Sequence, residues 1–304
     1  MSIQSDHLEK IIAQYNRIAN IQIVSADVEK YSLRRSLTQI DVINAFTNCF
    51  KNALKETSRH YVEYAQKNNV NFQNDIILLP TGDGAIIGFS FDGLHDIHLY
   101  FATKLLEEAH KLRQQNSCER FDRNGWCNCH SSFNLRIGLS EGKEIIYSDV
   151  NDNYNIAGGV VNLASRIVGL LDRNQIAFTE DAYRCIIDMI DDPNFIDHFV
   201  EFQNIKLKHD IPVSVYQFID KDQPHINSSP PTDLNLRKKA NEFVNKLKSL
   251  GFPVPVNQRE FDTLAMEDIM NLVLKLFNTE DSSNQLVRLD SANLDIVPSI
   301  EHKE

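Results

Sequence analysis

Residues 74–89, NDIILLPTGDGAIIGF, decide how the chain is read. Two apolar runs, Ile76 to Leu79 and Ala85 to Ile87, flank the turn Pro80-Thr81-Gly82-Asp83-Gly84, which makes the stretch a β-hairpin with a carboxylate at its tip. A glycine on each side of Asp83 removes side-chain bulk and lets a ligand or metal come close to the backbone. A lone Gly-Asp-Gly also serves as an ordinary turn in which the aspartate bonds its own backbone. The rest of the chain has to decide between the two.

Upstream, Ile21 to Val28 (IQIVSADV) reads as a buried strand ending on Asp27. A charge there is costly unless it pairs with something or caps the segment that follows. Before it, Leu8, Ile11, Ile12, Tyr15 and Ile18 fall at helical spacing and predict an N-terminal packing helix within residues 1–19. An amphipathic helix is expected from about Leu37 to Asn68 and another from Leu94 to Arg113, with a polar loop over 114–131. Phe133 to Leu139 predicts a strand, Gly142 a turn, and Glu144 to Tyr147 the strand's hairpin partner. Gly158 and Gly159 open a third helix, GGVVNLASRIVGLL, and short strands follow at Gln175 to Phe178 and Val213 to Phe218. This order is that of an α+β domain whose sheet is covered on one face by helices. All but one of the eleven glycines lie between positions 82 and 169, the region where a ligand is expected.

A length of 304 residues suits one sizeable domain with an appendage. NSSPPT at 227–232 ends a linker over 221–232. A helical appendage over 233–278 and a polar tail over 279–304, expected to be poorly ordered, complete the chain. The net charge of −11 argues against a nucleic-acid partner. No apolar run approaches about 18 residues and the first twenty lack a signal-peptide core, so the expectation is a cytoplasmic protein with no membrane partner. Five cysteines, an odd number, argue against a disulfide framework.

Asp27 and Asp83 each sit at a predicted strand end, and neither has an obvious local cation in the sequence. Two hard divalent ions between such a pair would satisfy both charges and leave positions open for phosphate oxygens, which is the layout of a phosphoryl-transfer site. On the third helix Asn162 and Arg166 are spaced i and i+4, so an amide and a guanidinium leave one face. Together they suit a sugar hydroxyl and a phosphoryl group gaining negative charge, although alone they describe any solvated helix face.

The chain resembles the class III nucleotidyl cyclases. The matching pieces stand in that family's order: VSADVEKYS with Asp27, PTGDGA with Asp83, LRIGLSEG at 135–142, YNIAGGVVNLASR at 154–166 and IKLKHDIPVSVY at 205–216. The resemblance covers about residues 20–220 and implies a catalytic domain there, with a ferredoxin-like βαββαβ core working as a homodimer whose sites are shared between chains. It further implies that Asp27, Asp83 and the Val28 backbone bind two Mn²⁺ or Mg²⁺ ions. One would lower the pKa of the ribose 3′-hydroxyl and the other would hold the triphosphate. By the same resemblance Val28, Glu29, Lys30, Tyr31 and Ser32 cradle phosphates, Asn162 orients the ribose, Arg166 stabilises the transition state, and Lys208 contacts the triphosphate.

Two positions depart from the purine cyclases of the family. Those place a Lys or Glu four residues before the second metal aspartate and an Asp, Thr or Cys seven residues before the asparagine; here the positions hold Leu79 and Asn155. Leu79 leaves a purine edge unpaired, at a cost of about 1–3 kcal/mol. The pattern is most similar to the pyrimidine cyclases of bacterial anti-phage (Pycsar) systems, which make cyclic UMP or cyclic CMP for a separate effector protein. Asn155 offers both a donor and an acceptor to a pyrimidine, with UTP favoured over CTP. The competing readings are an adenylate cyclase with a divergent base pocket and a catalytically silent nucleotide-binding module. Cys118, Cys127, Cys129 and His130 are ligand types that zinc accepts, but their spacing is not that of a zinc finger, and they are read as a reduced-thiol loop.

Overall fold

The computed structural model describes residues 17–72, 75–91, 93–116, 118–124, 127–129, 132–207 and 212–239, together with the strands at 286–289 and 296–299. Its contacts divide it into two units, Met1–Glu201 with Ser214–Pro231, and Phe202–Val213 with Thr232–Glu304.

The first unit opens with β1 (Arg17–Val28) and a 3-10 turn (Tyr31–Leu33). Helices α1 (Ser36–His60) and α2 (Val62–Asn68) follow, then the hairpin β2 (Ile76–Pro80) and β3 (Gly84–Phe89), and α3 (Ile97–Gln115). A short helix α4 (Glu119–Asn124) precedes the long strand β4 (Leu135–Ser148) and β5 (Tyr154–Ala157). Next come α5 (Gly159–Val168), β6 (Gln175–Thr179) and α6 (Glu180–Met189), and then β7 (Phe199–Lys206) and β8 (Pro212–Phe218), whose residues 202–206 and 212–213 are counted with the second unit. The sheet runs β2-β3-β1-β4-β6-β8-β7, with β5 also on β4. Its first four strands are ordered β2-β3-β1-β4, and β1 is antiparallel to both neighbours. With α1 and α3 as crossovers, this is the ferredoxin-like βαββαβ arrangement.

Alternation along β1 builds two cores. Val24, Ala26 and Val28 enter the larger, with Phe46 and Phe50 of α1, Phe101 and Leu105 of α3, and Ile186 of α6. Ile21 and Ile23 enter the smaller, with Ile77, Ile86, Ile146, Ile156 and the α5 residues Val161 and Ala164. Helices therefore lie on both faces of the sheet, not on one. The α1 residues Val42, Phe46, Cys49, Phe50 and Ala53 repeat at helical spacing, which is why the helix buries one stripe. Thr179 caps α6 by accepting from the Ala182 amide at 3.4 Å.

Several boundaries differ from expectation. Residues 17–19, placed in an N-terminal helix by periodicity, are strand: β4 runs on to Ser148, and its register pairs Arg17 with Ile146. Gly142 makes no turn, and β4 passes straight through it opposite Ile21. A Cβ at Gly142 would lie 2.9 Å from Val160 Cγ2, so the glycine serves close packing of α5 on the strand. The loop at 114–131 contains α4, and β5, α6 and β7 have no counterpart in the sequence-based expectation.

The expected linker is tied to the core. The Asn227 amide donates to the Asn174 carbonyl at 2.8 Å, and the buried side chains of Gln175 and Gln217 donate to the Ser229 carbonyl at 2.6 and 2.7 Å. In the second unit, Leu286–Leu289 and Ile296–Ser299 pair antiparallel. The second appendage helix expected near 259–277 lies outside the described residues. Among the described residues no helix is long and apolar enough to cross a membrane.

His98 on α3 is fully buried, edge-on to the Phe178 ring with centroids 5.4 Å apart, and neither ring nitrogen has a hydrogen-bond partner. Burial, with His95 nearby, depresses its pKa to about 3, against about 6.5 in the unfolded chain. Between those values the unfolded chain holds a proton that the folded one does not. Stability therefore falls as pH drops from about 6.5 toward 3, by about 1.4 kcal/mol per pH unit from this residue. In denaturant melts across that range, His98→Leu should flatten the acid slope by about that amount. An unchanged slope would show that His98 does not carry the acid sensitivity.

Candidate active site

The alternation that sorts β1 between the two cores also sets the site. Ser25 and Asp27 continue the series of Ile21 and Ile23 on the face covered by α5, and Ser25 Oγ lies 3.4 Å from Ser165 Oγ on that helix. On β4, Ser140 Oγ donates to the Val160 carbonyl at 2.9 Å, which puts its even-numbered neighbours, Arg136 among them, on the same face. In register, Asp27 lies between Gly84 of β3 and Arg136 of β4.

The hairpin tip folds back onto the end of β1. The Val28 amide donates to the Asp83 carbonyl at 2.9 Å, which brings the hairpin tip to the end of β1 and the Asp83 carboxylate near enough to Asp27 to act on its charge. Strand-end acids from two segments thus come together at the end of β1. Burial raises the Asp27 pKa above the usual carboxylate value, the Arg136 guanidinium opposes that rise, and the Asp83 carboxylate adds to it. A half-buried acid crowded by a second acid and offering hard oxygens is a donor set that fits a divalent cation.

The expectation that Asp27 lacks a local cation is corrected here. Arg136 Nε donates to Asp27 Oδ2 at 3.0 Å, and Nη2 donates to the same oxygen. A single arginine in the otherwise apolar run LRIGL was the signal available in the sequence.

After Val28 the chain turns through Lys30 in the left-handed region (φ 55°) into the 3-10 turn Tyr31–Leu33. A left-handed residue followed by helical ones aims successive amides into one concavity, a shape suited to phosphate. The cradle is narrower than Val28 to Ser32, because the Val28 amide is committed to Asp83 and the Glu29 amide to the Asn134 carbonyl at 3.0 Å. That leaves the turn at Lys30, Tyr31 and Ser32. The Glu29 carboxylate accepts from Asn134 Nδ2 at 3.0 Å and lies 3.5 Å from Lys30 Nζ, so it braces the turn.

The N-terminus of α5 is held by Glu144, a buried carboxylate that accepts from the Val160 amide and, at 3.3 Å, from the Val161 amide. This cap, which the sequence did not reveal, fixes the helix that carries Asn162 and Arg166. Asn162 is exposed and its Nδ2 donates to the Gly158 carbonyl at 2.7 Å; Arg166 is half-buried in the last turn. Leu79 is part-buried against the smaller core, so packing takes up part of its surface. Asn155 is half-buried opposite Tyr147, and its Oδ1 accepts from the Ile156 amide at 2.7 Å. Lys208 lies outside the described residues.

No known family and no curated protein matches the sequence. Solved structures do match. A bacterial light-regulated adenylyl cyclase aligns with a TM-score of 0.51 at 14% identity, over 76% of this chain and 65% of that one. The guanylate cyclase domain of a Catenaria anguillulae protein, solved with GTP, aligns at 0.46 and 15% identity over 67% of this chain and 98% of its own. An adenylyl cyclase from P. aeruginosa aligns at 0.44 and 16% identity over 68% and 96%. The chain has the mixed α+β, mostly antiparallel fold of the class III cyclase catalytic domain.

Proposed function

We propose that this protein is a nucleotide cyclase acting on a pyrimidine nucleoside triphosphate, UTP in preference to CTP. It would form the 3′,5′-cyclic nucleotide and diphosphate. The observation that carries the reading is the bond from the Val28 amide to the Asp83 carbonyl, which brings the hairpin tip to Asp27 beside the Lys30–Ser32 turn. Two carboxylates, which suit cations, and a left-handed turn, which suits phosphate oxygens, at the end of one strand support it.

Asp27, Asp83 and the Val28 carbonyl would hold two divalent cations, Mn²⁺ or Mg²⁺, which when bound supply a more acidic 3′-hydroxyl and charge neutralisation at the triphosphate. The Lys30–Ser32 turn holds phosphate oxygens. Asn162 orients the ribose, and Arg166 meets the negative charge that grows on the α-phosphoryl group. Lys208 would contact the triphosphate. A homodimer, in which Asn162 and Arg166 of one chain complete the Asp27 site of the other, gives two equivalent sites. The exposure of Asn162 supports that arrangement. By resemblance to the anti-phage pyrimidine cyclases, the cyclic product would serve as a second messenger read by a separate effector.

Asn155 supports the choice of UTP. Its carbonyl oxygen is taken by the Ile156 amide, which leaves the side-chain NH₂ to face a ligand. A donor suits the O4 keto oxygen of uracil and opposes the 4-amino group of cytosine. Incubation with each of the four NTPs and Mn²⁺ should give cyclic UMP as the main product; exclusive conversion of ATP would overturn the proposal in favour of a divergent adenylate cyclase. Asn155→Asp, which replaces that donor with an acceptor, should lower the UTP-to-CTP ratio of kcat/KM by about tenfold or more. An unchanged ratio would remove Asn155 from base recognition.

One observation favours a catalytically silent nucleotide-binding module: the Arg136–Asp27 pair, in which a guanidinium already serves one of the acids. Turnover in the NTP panel decides against it.

A further inference from the structure

Around α4, with Cys118 just before it and Cys127 and Cys129 after it, three cysteines converge that the cyclase reading does not use. The sulphurs of Cys118, Cys127 and Cys129 all lie within 4.8 Å of one another, and Cys118 Sγ is 3.4 Å from Cys129 Sγ. Tetrahedral zinc–thiolate bonds of about 2.3 Å place sulphurs about 3.8 Å apart, whereas a disulfide needs about 2.05 Å. The observed separation suits a shared ion better than a bond.

The surroundings agree. Among the described residues Cys127 is buried yet belongs to neither hydrophobic cluster, unlike Cys49, which packs in the larger one. The Cys129 amide donates to Cys127 Sγ at 3.2 Å, a bond that favours thiolate over thiol. Arg34, itself buried, donates to the carbonyls of Cys127 at 3.1 Å, Cys129 at 2.9 Å and Ser132 at 2.9 Å. Its guanidinium closes the loop around the sulphurs and brings a positive charge to them. That charge offsets the excess negative charge of three thiolates on one divalent ion.

We propose that Cys118, Cys127 and Cys129 bind a structural zinc ion that fixes residues 127–129 against the turn that carries Arg34 and Arg35. A fourth donor, from solvent or a neighbouring side chain, completes the tetrahedron. His130, the other residue of this group in the sequence, lies outside the described residues. Three sulphurs close enough to share one ion set this proposal against the reading of the segment as a reduced-thiol loop. The connection to the turn is direct: the Arg35 amide donates to Asn128 Oδ1 at 3.3 Å, and the Glu29 amide to the Asn134 carbonyl at 3.0 Å. Zinc here would act by holding the Lys30–Ser32 amides in place and would touch no reacting group.

The test reads metal rather than turnover, so it succeeds or fails independently of the cyclase assignment. Full-length protein purified without added metal and dialysed should carry about one zinc per chain by elemental analysis. A mercurial thiol reagent should release that zinc, as followed with a chromogenic chelator. Cobalt exchanged into the wild-type protein should show thiolate-to-cobalt charge transfer and strong tetrahedral d–d bands, a readout that needs no variant to fold. Cys118→Ser, Cys127→Ser and Cys129→Ser should each lose the zinc, whereas Cys49→Ala should keep it. The proposal is overturned by metal-free protein whose three thiols react at once with a disulfide reagent. It is equally overturned by a Cys118–Cys129 disulfide in the mass spectrum, or by zinc that survives all three serine variants.

Discussion

Asp83→Ala is expected to abolish cyclisation, with turnover on the preferred triphosphate falling by about 10³-fold or more in saturating Mn²⁺. The reason lies in how little else is available at the site. Of the two acids that converge there, Asp27 already shares Oδ2 with Arg136, so Asp83 supplies the carboxylate less engaged by protein. Removing it leaves a half-buried Asp27 with a guanidinium for company and too few hard oxygens for a pair of cations. The same substitution removes a like charge from beside Asp27, which relieves the metal-free fold. Stability without metal should stay level or rise by up to about 1 kcal/mol, and the elution volume on a sizing column should not move. Loss of activity without loss of stability marks a functional acid. A variant near wild-type turnover would refute the assignment, and one that lost activity by unfolding would show Asp83 to be structural.

The parts of the site that were legible in the sequence are those where a local pattern is broken by one polar residue. Asp27 ends an apolar run, Asp83 stands between two glycines, and a double glycine opens α5; each was placed correctly from neighbours alone. What stayed hidden depends on which strands lie side by side. Arg136 meets Asp27 only because β4 pairs with β1 from Val28 to Arg17, a register no local window contains. The same pairing draws Arg17 to Ala19 into strand against their helical spacing, and carries β4 through Gly142, whose missing side chain makes room for Val160 rather than for a turn. Glu144 looked like an ordinary strand residue until α5 was set above it. The three cysteines, judged by spacing, matched no known finger; in space α4 and the loop bring their sulphurs together.

Gly84→Ala tests the geometry behind the chemistry, and its effect should be nearly as large. A Cβ at position 84 would stand 2.0 Å from the Ala26 carbonyl oxygen, 3.0 Å from the Ala26 carbonyl carbon and 3.0 Å from the Asp27 Cα. All three are backbone atoms of β1, which is pinned on its other side by β4 along its whole length, so there is no flexible side chain to swing aside. The strand that must move is β3, and its first residues carry the hairpin tip with Asp83. Overpacking against backbone costs about 3 kcal/mol, and the displacement should separate the two carboxylates. Expected together are a denaturation midpoint lowered accordingly and turnover reduced by about 10²-fold or more, since small misplacements at a reacting centre are that costly. Raising Mn²⁺ should recover part of the turnover in Gly84→Ala and none in Asp83→Ala, because the first keeps both acids and loses only their spacing. Wild-type turnover in a destabilised Gly84→Ala protein would mean that the hairpin tip does not set the site, and the two-acid reading would fall with it.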